Sequence, residues 1–513
     1  MSALGQKQTS AHVRVMSALP PKADIADGDL CQKATCELAT GRAISQPPSR
    51  RRAPKRPLRD PRMTGFSIPD SRYHLQSKGS LVVLVLLALV VGVVAGLVGA
   101  VFRITLERAD RLRDSLITWA HGESFAGFLF IIGLSAVATL VAAWLARRFS
   151  PHASGSGIPH VEAVLHGQIP PAPPYGLVPV KFVGGVLAIG SGLALGREGP
   201  SVQMGASIAH FVGQVFRRDW PDSRVLIAAG AGAGLATAFN APIAGALFVL
   251  EELIQKFEHR IAIAALAASA TAIAVARILL PDAPDFVVAP LSYGAPEARP
   301  LFFVLGGVIG LLAIAYNNAL LGTIAAAERL RRLPVEARAG LIGAAVGTLG
   351  WFAPTLIGGG DAITQRTLAN IETLTLIPIA FLVRFLLGAI SYAASTPGGL
   401  FAPLLTLGAQ SGLLFGAACH FAFPAVDIQP EAFAVVGMAA FFTGVVRAPL
   451  TGIVLVTEMT ASVTMLLPML GACCVAMLVP TLMRNAPIYD SLREHTLRSE
   501  RARQDSRPSG PPS

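Results

Sequence analysis

The sequence predicts an all-α integral membrane protein made of two repeated halves, and three observations carry that prediction. Of the 513 residues, 53% are hydrophobic and only 14% charged, whereas soluble domains average about 25% charged. Residues 81–102 and 128–145 contain no charge, and at about 1.5 Å per helical residue each can cross roughly 30 Å of hydrocarbon. Finally, segment 230–251, with Asn240-Ala241-Pro242-Ile243-Ala244-Gly245, aligns without a gap on 437–458, with Arg447-Ala448-Pro449-Leu450-Thr451-Gly452, at an offset of 207 residues. Upstream, Arg197-Glu198-Gly199-Pro200 with Gly205-Ala206 matches Leu400-Phe401-Ala402-Pro403 with Gly408-Ala409 at an offset of 203. Two copies of one ancestral unit explain both matches. Inverted copies would set short helix ends face to face near the membrane midplane.

The elements run from the N-terminus. Residues 1–75 are rich in Pro, Arg and Ser without apolar period, and read as a disordered tail. They hold 13 Lys/Arg against 6 Asp/Glu, with Arg50, Arg51, Arg52, Lys55 and Arg56 clustered. Next to a membrane domain this surplus is a topology signal placing both tails in the cytoplasm. No groove-reading motif accompanies it, so nucleic acid is not an expected partner. Met63 precedes a second possible start, and the first apolar run begins too late for a cleavable signal. The first transmembrane half is expected over 76–285, the second over 286–489, and a short charged cytoplasmic tail over 490–513.

Between the tails, apolar stretches predict helices near 80–102, 128–146, 178–195, 201–216, 224–239, 242–255, 261–280, 301–323, 338–353, 373–391, 401–421, 431–443, 448–462 and 464–483. Several are too short to span alone and are bounded by Gly or Pro. Broken helices are tolerated in a bilayer only where their ends line a protected cavity, and in transporters they mark binding sites. Cys31 and Cys36 lack metal-hook spacing, and Cys419, Cys473 and Cys474 lie in apolar helices. Neither a disulfide framework, a metal site nor another cofactor is expected.

Three segments point to an anion path. Gly155-Ser156-Gly157-Ile158-Pro159, Gly196-Arg197-Glu198-Gly199-Pro200 and Gly398-Gly399-Leu400-Phe401-Ala402-Pro403 share one design. Glycines bare the backbone N–H groups, and proline in the first helical turn removes a donor that would be orphaned. Each reads as a helix N-terminus, whose dipole and free amides hold an anion without a full counter-charge, so the anion can leave again. Singly, each could be a structural turn. Three in one chain, two at repeat-related positions, favour the anion.

The same segments, in this order, resemble the three signature motifs of the chloride channel/transporter (CLC) superfamily. The likeness runs from about residue 80 to Tyr489 and includes Asn240-Ala241-Pro242 and Arg447-Ala448-Pro449-Leu450-Thr451-Gly452. It implies two inverted halves with many tilted helices, a homodimer with one anion path per subunit, a bacterial-type inner-membrane location, and chloride and protons as transported partners.

Residue roles come with the resemblance. Ser156 resembles the serine, and Tyr489 the tyrosine, whose hydroxyls donate to the central anion. Leu400 and Phe401 would add backbone N–H groups, with Gly155, Gly157, Gly199 and Gly399 opening the backbone around it. Without the motifs, Ser156 would read as a helix cap and Tyr489 as an interfacial anchor. Glu198 stands at a helix N-terminus where an anion would sit, so ionised it plugs the path and protonated it can swing aside; an intramembrane acid is costly and usually functional. Glu252 aligns with the internal proton acceptor of exchangers, Glu251 with a neighbouring acid that shapes the proton route, and Glu458 is the repeat-related counterpart of Glu251. Were Glu252 a solvated helix-end residue instead, the protein would be a passive channel.

Lys181, Arg197 and Arg384 could raise the potential along the path, although snorkelling or a buried carboxylate pair would equally explain Lys181 and Arg384. His152, His160 and His166 read as surface or structural histidines. Gly358-Gly359-Gly360-Asp361 reads as a loop between helices without assigned chemistry. A remote alternative, an intramembrane serine hydrolase built on Ser156 and a nearby histidine, needs an oriented base and leaves the duplication unexplained.

Overall fold

A computed structural model describes residues 80–505 apart from 293–295, 331 and 372. The expected basic tail over 1–75, Cys31 and Cys36 lie outside the described residues. Within them the regular structure is helical. The first half comprises α1 (Leu81–Ala120), α2 (Ser124–Phe149), α3 (Ile158–Leu165), α4 (Pro174–Gly190), α5 (Glu198–Val215), α6 (Trp220–Phe239), α7 (Pro242–Phe248), continued by one π turn over Val249–Leu253, and α8 (His259–Leu279). The second comprises α9 (Arg299–Arg329), α10 (Val335–Phe352), α11 (Asp361–Leu368), α12 (Ile377–Tyr392), α13 (Phe401–Ala422), α14 (Pro430–Val446), α15 (Pro449–Thr460), α16 (Leu466–Leu482) and α17 (Ile488–Asp505).

Each apolar stretch coincides largely with a helix, although 178–195 runs past the end of α4 and 373–391 begins before α12. Segments Leu81–Phe149, His259–Leu279, Pro296–Arg329 and Phe401–Ala422 include helices long and apolar enough to cross a membrane. α1 is apolar all round: Leu84, Ala88 and Val91 face the interior while Leu86, Val90 and Val93 are exposed, as expected of a helix with lipid on one side. α1 also runs well past the apolar stretch, carrying Arg103, Glu107, Asp110 and Arg113 on its last turns.

The repeat is visible in packing. α5 lies against α6 so closely that a β-carbon on Gly205 would strike the carbonyl of Gly230, and α13 meets α14 in the same way at Gly408 and Gly437. Small residues let backbones touch where lipid offers no hydrophobic drive between helices. α6 and α14 end in left-handed residues at repeat-related positions, Asn240 (φ 49°) and Arg447 (φ 77°), and each is followed by Ala-Pro opening the next helix.

Three helices escape hydropathy. α3 and α11 have eight residues each, and α11 is polar. The third lies in the expected charged tail over 490–513: residues 490–505 continue α17. Its buried Ile488, Tyr489 and Leu492 dock it, and Arg493 pairs with Glu162 of α3. A charged segment can therefore pack as a helix, with three apolar side chains on its inner face.

Candidate functional site

The three motif segments meet through backbone hydrogen bonds. Gly155 N–H donates to the Thr396 carbonyl (3.0 Å) and Gly398 N–H to the Gly155 carbonyl (3.1 Å). Gly196 and Gly399 exchange a pair, N–H to carbonyl at 2.9 and 2.7 Å. Gly155 (φ 65°) and Gly157 (φ 87°) take left-handed backbone that a β-carbon disfavours. Lys181 is fully buried, and its Nζ donates to the carbonyls of Ala153 (2.9 Å) and Gly155 (2.7 Å). It neither snorkels nor pairs with a carboxylate; it fixes the serine loop.

Glu198 opens α5 and is completely buried. Its Oε1 accepts the N–H of Phe401, first residue of α13, at 2.5 Å. A β-carbon on Gly196 or Gly399 would collide with this carboxylate, and one on Gly199 would strike Ser156. These glycines make the room that the acid and the serine loop share. Leu400, also fully buried, precedes Phe401. The Phe401 ring is enclosed by Phe239, Phe248 and Phe442, with the Tyr489 ring 6.0 Å from it.

The hydroxyls of Ser156 and Tyr489 are buried close to one another, and among the described residues neither they nor Glu198 Oε2 make a hydrogen bond of normal geometry. Glu198 and Ser156 are among the polar groups acting on the Tyr489 hydroxyl. Buried polar atoms are nearly always partnered, so orphans grouped at one point indicate a ligand. Tyr392, which sequence reasoning missed, accepts the Ser156 N–H (3.3 Å). His160 is buried against His152, ring centroids 4.7 Å apart. Among the described residues Ser156 Oγ has no hydrogen bond to His160.

Two cavities approach the site. One, of about 290 Å³, is lined by Ser156, Tyr392 and residues of α17, including Leu492 and His495. The other, of about 640 Å³, is lined by Gly196, Arg197, Asp285 and Asp361. Arg197 is held on every side: Nε donates to the Ala238 carbonyl (2.7 Å), Nη1 to Asp361 (2.9 Å) and Nη2 to Asp285 (3.3 Å), which also takes Arg103 (2.8 Å). Arg384 is buried and donates to the carbonyls of Leu356, Gly358 and Gly359, at 3.2, 2.7 and 3.2 Å. The Gly358-Gly359-Gly360-Asp361 loop is thus bound to two functional candidates. Extending the offset of 203 would have found it, because that offset maps Gly155 on Gly358, Gly157 on Gly360 and Lys181 on Arg384.

Glu252 lies on the π turn after α7 and is buried, with Glu162, Asp490, Glu251 and Arg493 as its charged neighbours. No hydrogen bond or ion pair among the described residues links it to Glu198. Glu251 caps α15, accepting the N–H groups of Leu450 (3.0 Å) and Thr451 (2.7 Å) and the Thr451 hydroxyl (2.7 Å). Both acids lie on the π turn, Glu251 reaching α15 and Glu252 buried toward Glu162 and Asp490.

Comparison with known proteins gives a consistent result. A family model described as voltage gated chloride channel matches residues 138–481. Relatives named H(+)/Cl(-) exchange transporter ClcA include that of Vibrio parahaemolyticus, 35% identical over 448 residues, covering 86% of this chain and 95% of the relative. That of Klebsiella pneumoniae is 36% identical over 425 residues, covering 82% and 90%. Among solved structures, a slow cyanobacterial Cl−/H+ antiporter superposes with a TM-score of 0.77 at 32% identity, covering 81% of this chain and 98% of that one. A CLC-type fluoride/proton antiporter superposes at 0.69 with 24% identity over 80% and 97%, a likeness of fold alone.

Proposed function

The chain belongs to the voltage gated chloride channel (CLC) family, and from that premise we propose that it is a multi-pass chloride/proton antiporter with Glu198 as its gate. One observation carries the reading: the Glu198 carboxylate takes the Phe401 N–H at the start of α13, beside two buried hydroxyls without partners. An anion and this carboxylate compete for one set of donors. Ionised, Glu198 fills the position; protonated, it loses the charge that holds it against the amide and leaves the donors of Phe401, Ser156 and Tyr489 to chloride. Anion passage and proton carriage then share one side chain. Leu400 contributes backbone, and Gly155, Gly157, Gly199 and Gly399 provide space.

Antiport rather than passive conduction is supported by the names of the relatives and by Glu252, a buried acid at the end of α7 with further ionisable groups near it. In this reading protons pass between Glu252 and Glu198 while anions use the Ser156 cavity. That cavity, walled by α17, opens to the cytoplasm, and the Arg197 cavity to the outside. Lys181 and Arg384 act by fixing loops more than by attracting anions. The basic surplus near the tails supports cytoplasmic termini, and family membership supports a homodimer in the inner membrane.

Purified protein in liposomes with an imposed chloride gradient tests the proposal. Uphill proton movement recorded as external pH is the expected result. Chloride current that reverses at the chloride Nernst potential, without proton movement, would make the protein a channel instead.

A further inference from the structure

The loop before α11 is the second-half copy of the Ser156 loop. At the offset of 203, Gly358, Gly359 and Gly360 correspond to Gly155, Ser156 and Gly157, and α11 corresponds to α3 along its whole length. The left-handed glycines recur, Gly358 at φ 84° and Gly360 at φ 114°. The buried cation pinning the carbonyls recurs too, Lys181 in one half and Arg384 in the other. The copies differ at the first residue of the helix: Ile158 in the first is Asp361 in the second.

Asp361 therefore brings a fixed carboxylate to the first turn of α11, the end that favours anions. It also binds the Arg197 guanidinium at 2.9 Å, one residue from the gate, and its side chain is 43% exposed in the cavity of about 640 Å³. The chain Glu107, Arg103, Asp285, Arg197, Asp361 holds three carboxylates to two guanidiniums. Without Asp361 the two charges balance, and one Arg197 N–H turns free toward the cavity.

We propose that Asp361 is a positioning residue that tunes chloride affinity at this mouth: a built-in anion that occupies Arg197 and the start of α11, so chloride does not meet an unmatched charge on Arg197 before Glu198. The inference rests on the antiport reading above. A chloride ion held at the mouth would have to be released before each exchange step, so keeping the mouth occupied from within raises KM on that side and leaves turnover unhindered.

The test uses Asp361→Asn and Asp361→Glu in vesicles sorted to one protein orientation, with chloride steps applied to each face in turn. For Asp361→Asn, KM at the Arg197-cavity face is expected to fall about fourfold through the added unit of local positive charge. KM at the Ser156-cavity face and the maximum rate stay as in wild type, and Asp361→Glu restores wild-type values. Should Asp361→Asn fail to fold, Asp361→Cys labelled with a sulfonate-bearing or an ammonium-bearing thiol reagent replaces it, with labelled wild type controlling for exposed Cys474. The sulfonate adduct should match wild type and the ammonium adduct should show the lower KM. Equal KM values for both adducts, or KM changing equally at both faces of Asp361→Asn, would overturn the inference while leaving antiport intact. Wild-type vesicles without chloride flux would overturn antiport and this inference together.

Discussion

Glu251 and Glu458, repeat-related residues, cap each other's halves. Glu251 accepts the N–H groups of Leu450 and Thr451 at the start of α15, and Glu458 those of Ile243 (3.1 Å) and Ala244 (2.8 Å) at the start of α7. Each carboxylate lies near the end of one short helix and satisfies the orphaned donors of the other. The exchange fixes α7, and with it the π turn carrying Glu252, against the second half.

Loss of either cap should therefore look alike. Glu251→Gln and Glu458→Gln are each expected to lower the stability of the detergent-solubilised protein by about 1–2 kcal/mol, the usual range for a lost helix cap. The double variant should fall short of the sum because both caps secure one contact. Thermal unfolding followed by tryptophan fluorescence measures this. Glu251→Gln should slow proton uptake without abolishing it; complete loss would give Glu251 a direct part in the proton route.

Glu198→Ala or Glu198→Gln removes the titratable plug. Chloride flux should continue, lose its pH dependence and no longer drive protons. Paired chloride-electrode and pH recordings on liposomes decide it, and a variant that still pumps protons uphill would show that the gate lies elsewhere.

Tyr489→Ala deletes one of two hydroxyl donors. A hydrogen bond to a charged group contributes about 1.5–3 kcal/mol, so chloride affinity should drop roughly tenfold or more while the protein stays folded, because Ile488 and Leu492 still dock α17. Calorimetric titration with chloride measures it, and unaltered affinity would remove Tyr489 from the anion site.

Glu252→Gln keeps shape and removes an exchangeable proton. Chloride flux should persist with its dependence on external pH, which belongs to Glu198, while proton uptake is lost. Normal coupling in this variant would leave Glu252 a structural residue and return the question of the internal acceptor to Glu162, buried nearby.

Much of this architecture is written in hydropathy because the lipid-solvated part of a helix must be apolar, as residues 81–102 of α1 and 128–145 of α2 are. α11 and α17 carry no such mark: α11 is held by a glycine loop bound to Arg384, α17 by a few apolar contacts and Arg493. The site divides similarly. Glu198, Ser156 and Phe401 stand in Gly- and Pro-bounded segments whose local chemistry already implies a helix N-terminus, and the repeat multiplies that signal. Asp285 and Asp361 are single acids in or beside loops, with no period or motif, and they acquire meaning only when folding brings Arg197 between them. Glu251 shows another limit: its cap on α15 joins it to Leu450 and Thr451, about 200 residues away, and no local pattern in the sequence announces that partner.

The hydrogen bonds exchanged by Gly196 and Gly399 join equivalent positions of the two halves, so they lie where the relating axis passes, beside Glu198. Fastened there, the halves cannot rock against one another without shearing that rivet in every cycle. On the proposed reading, the working stroke is then confined to the Glu198 carboxylate, beside a join that holds the two halves together.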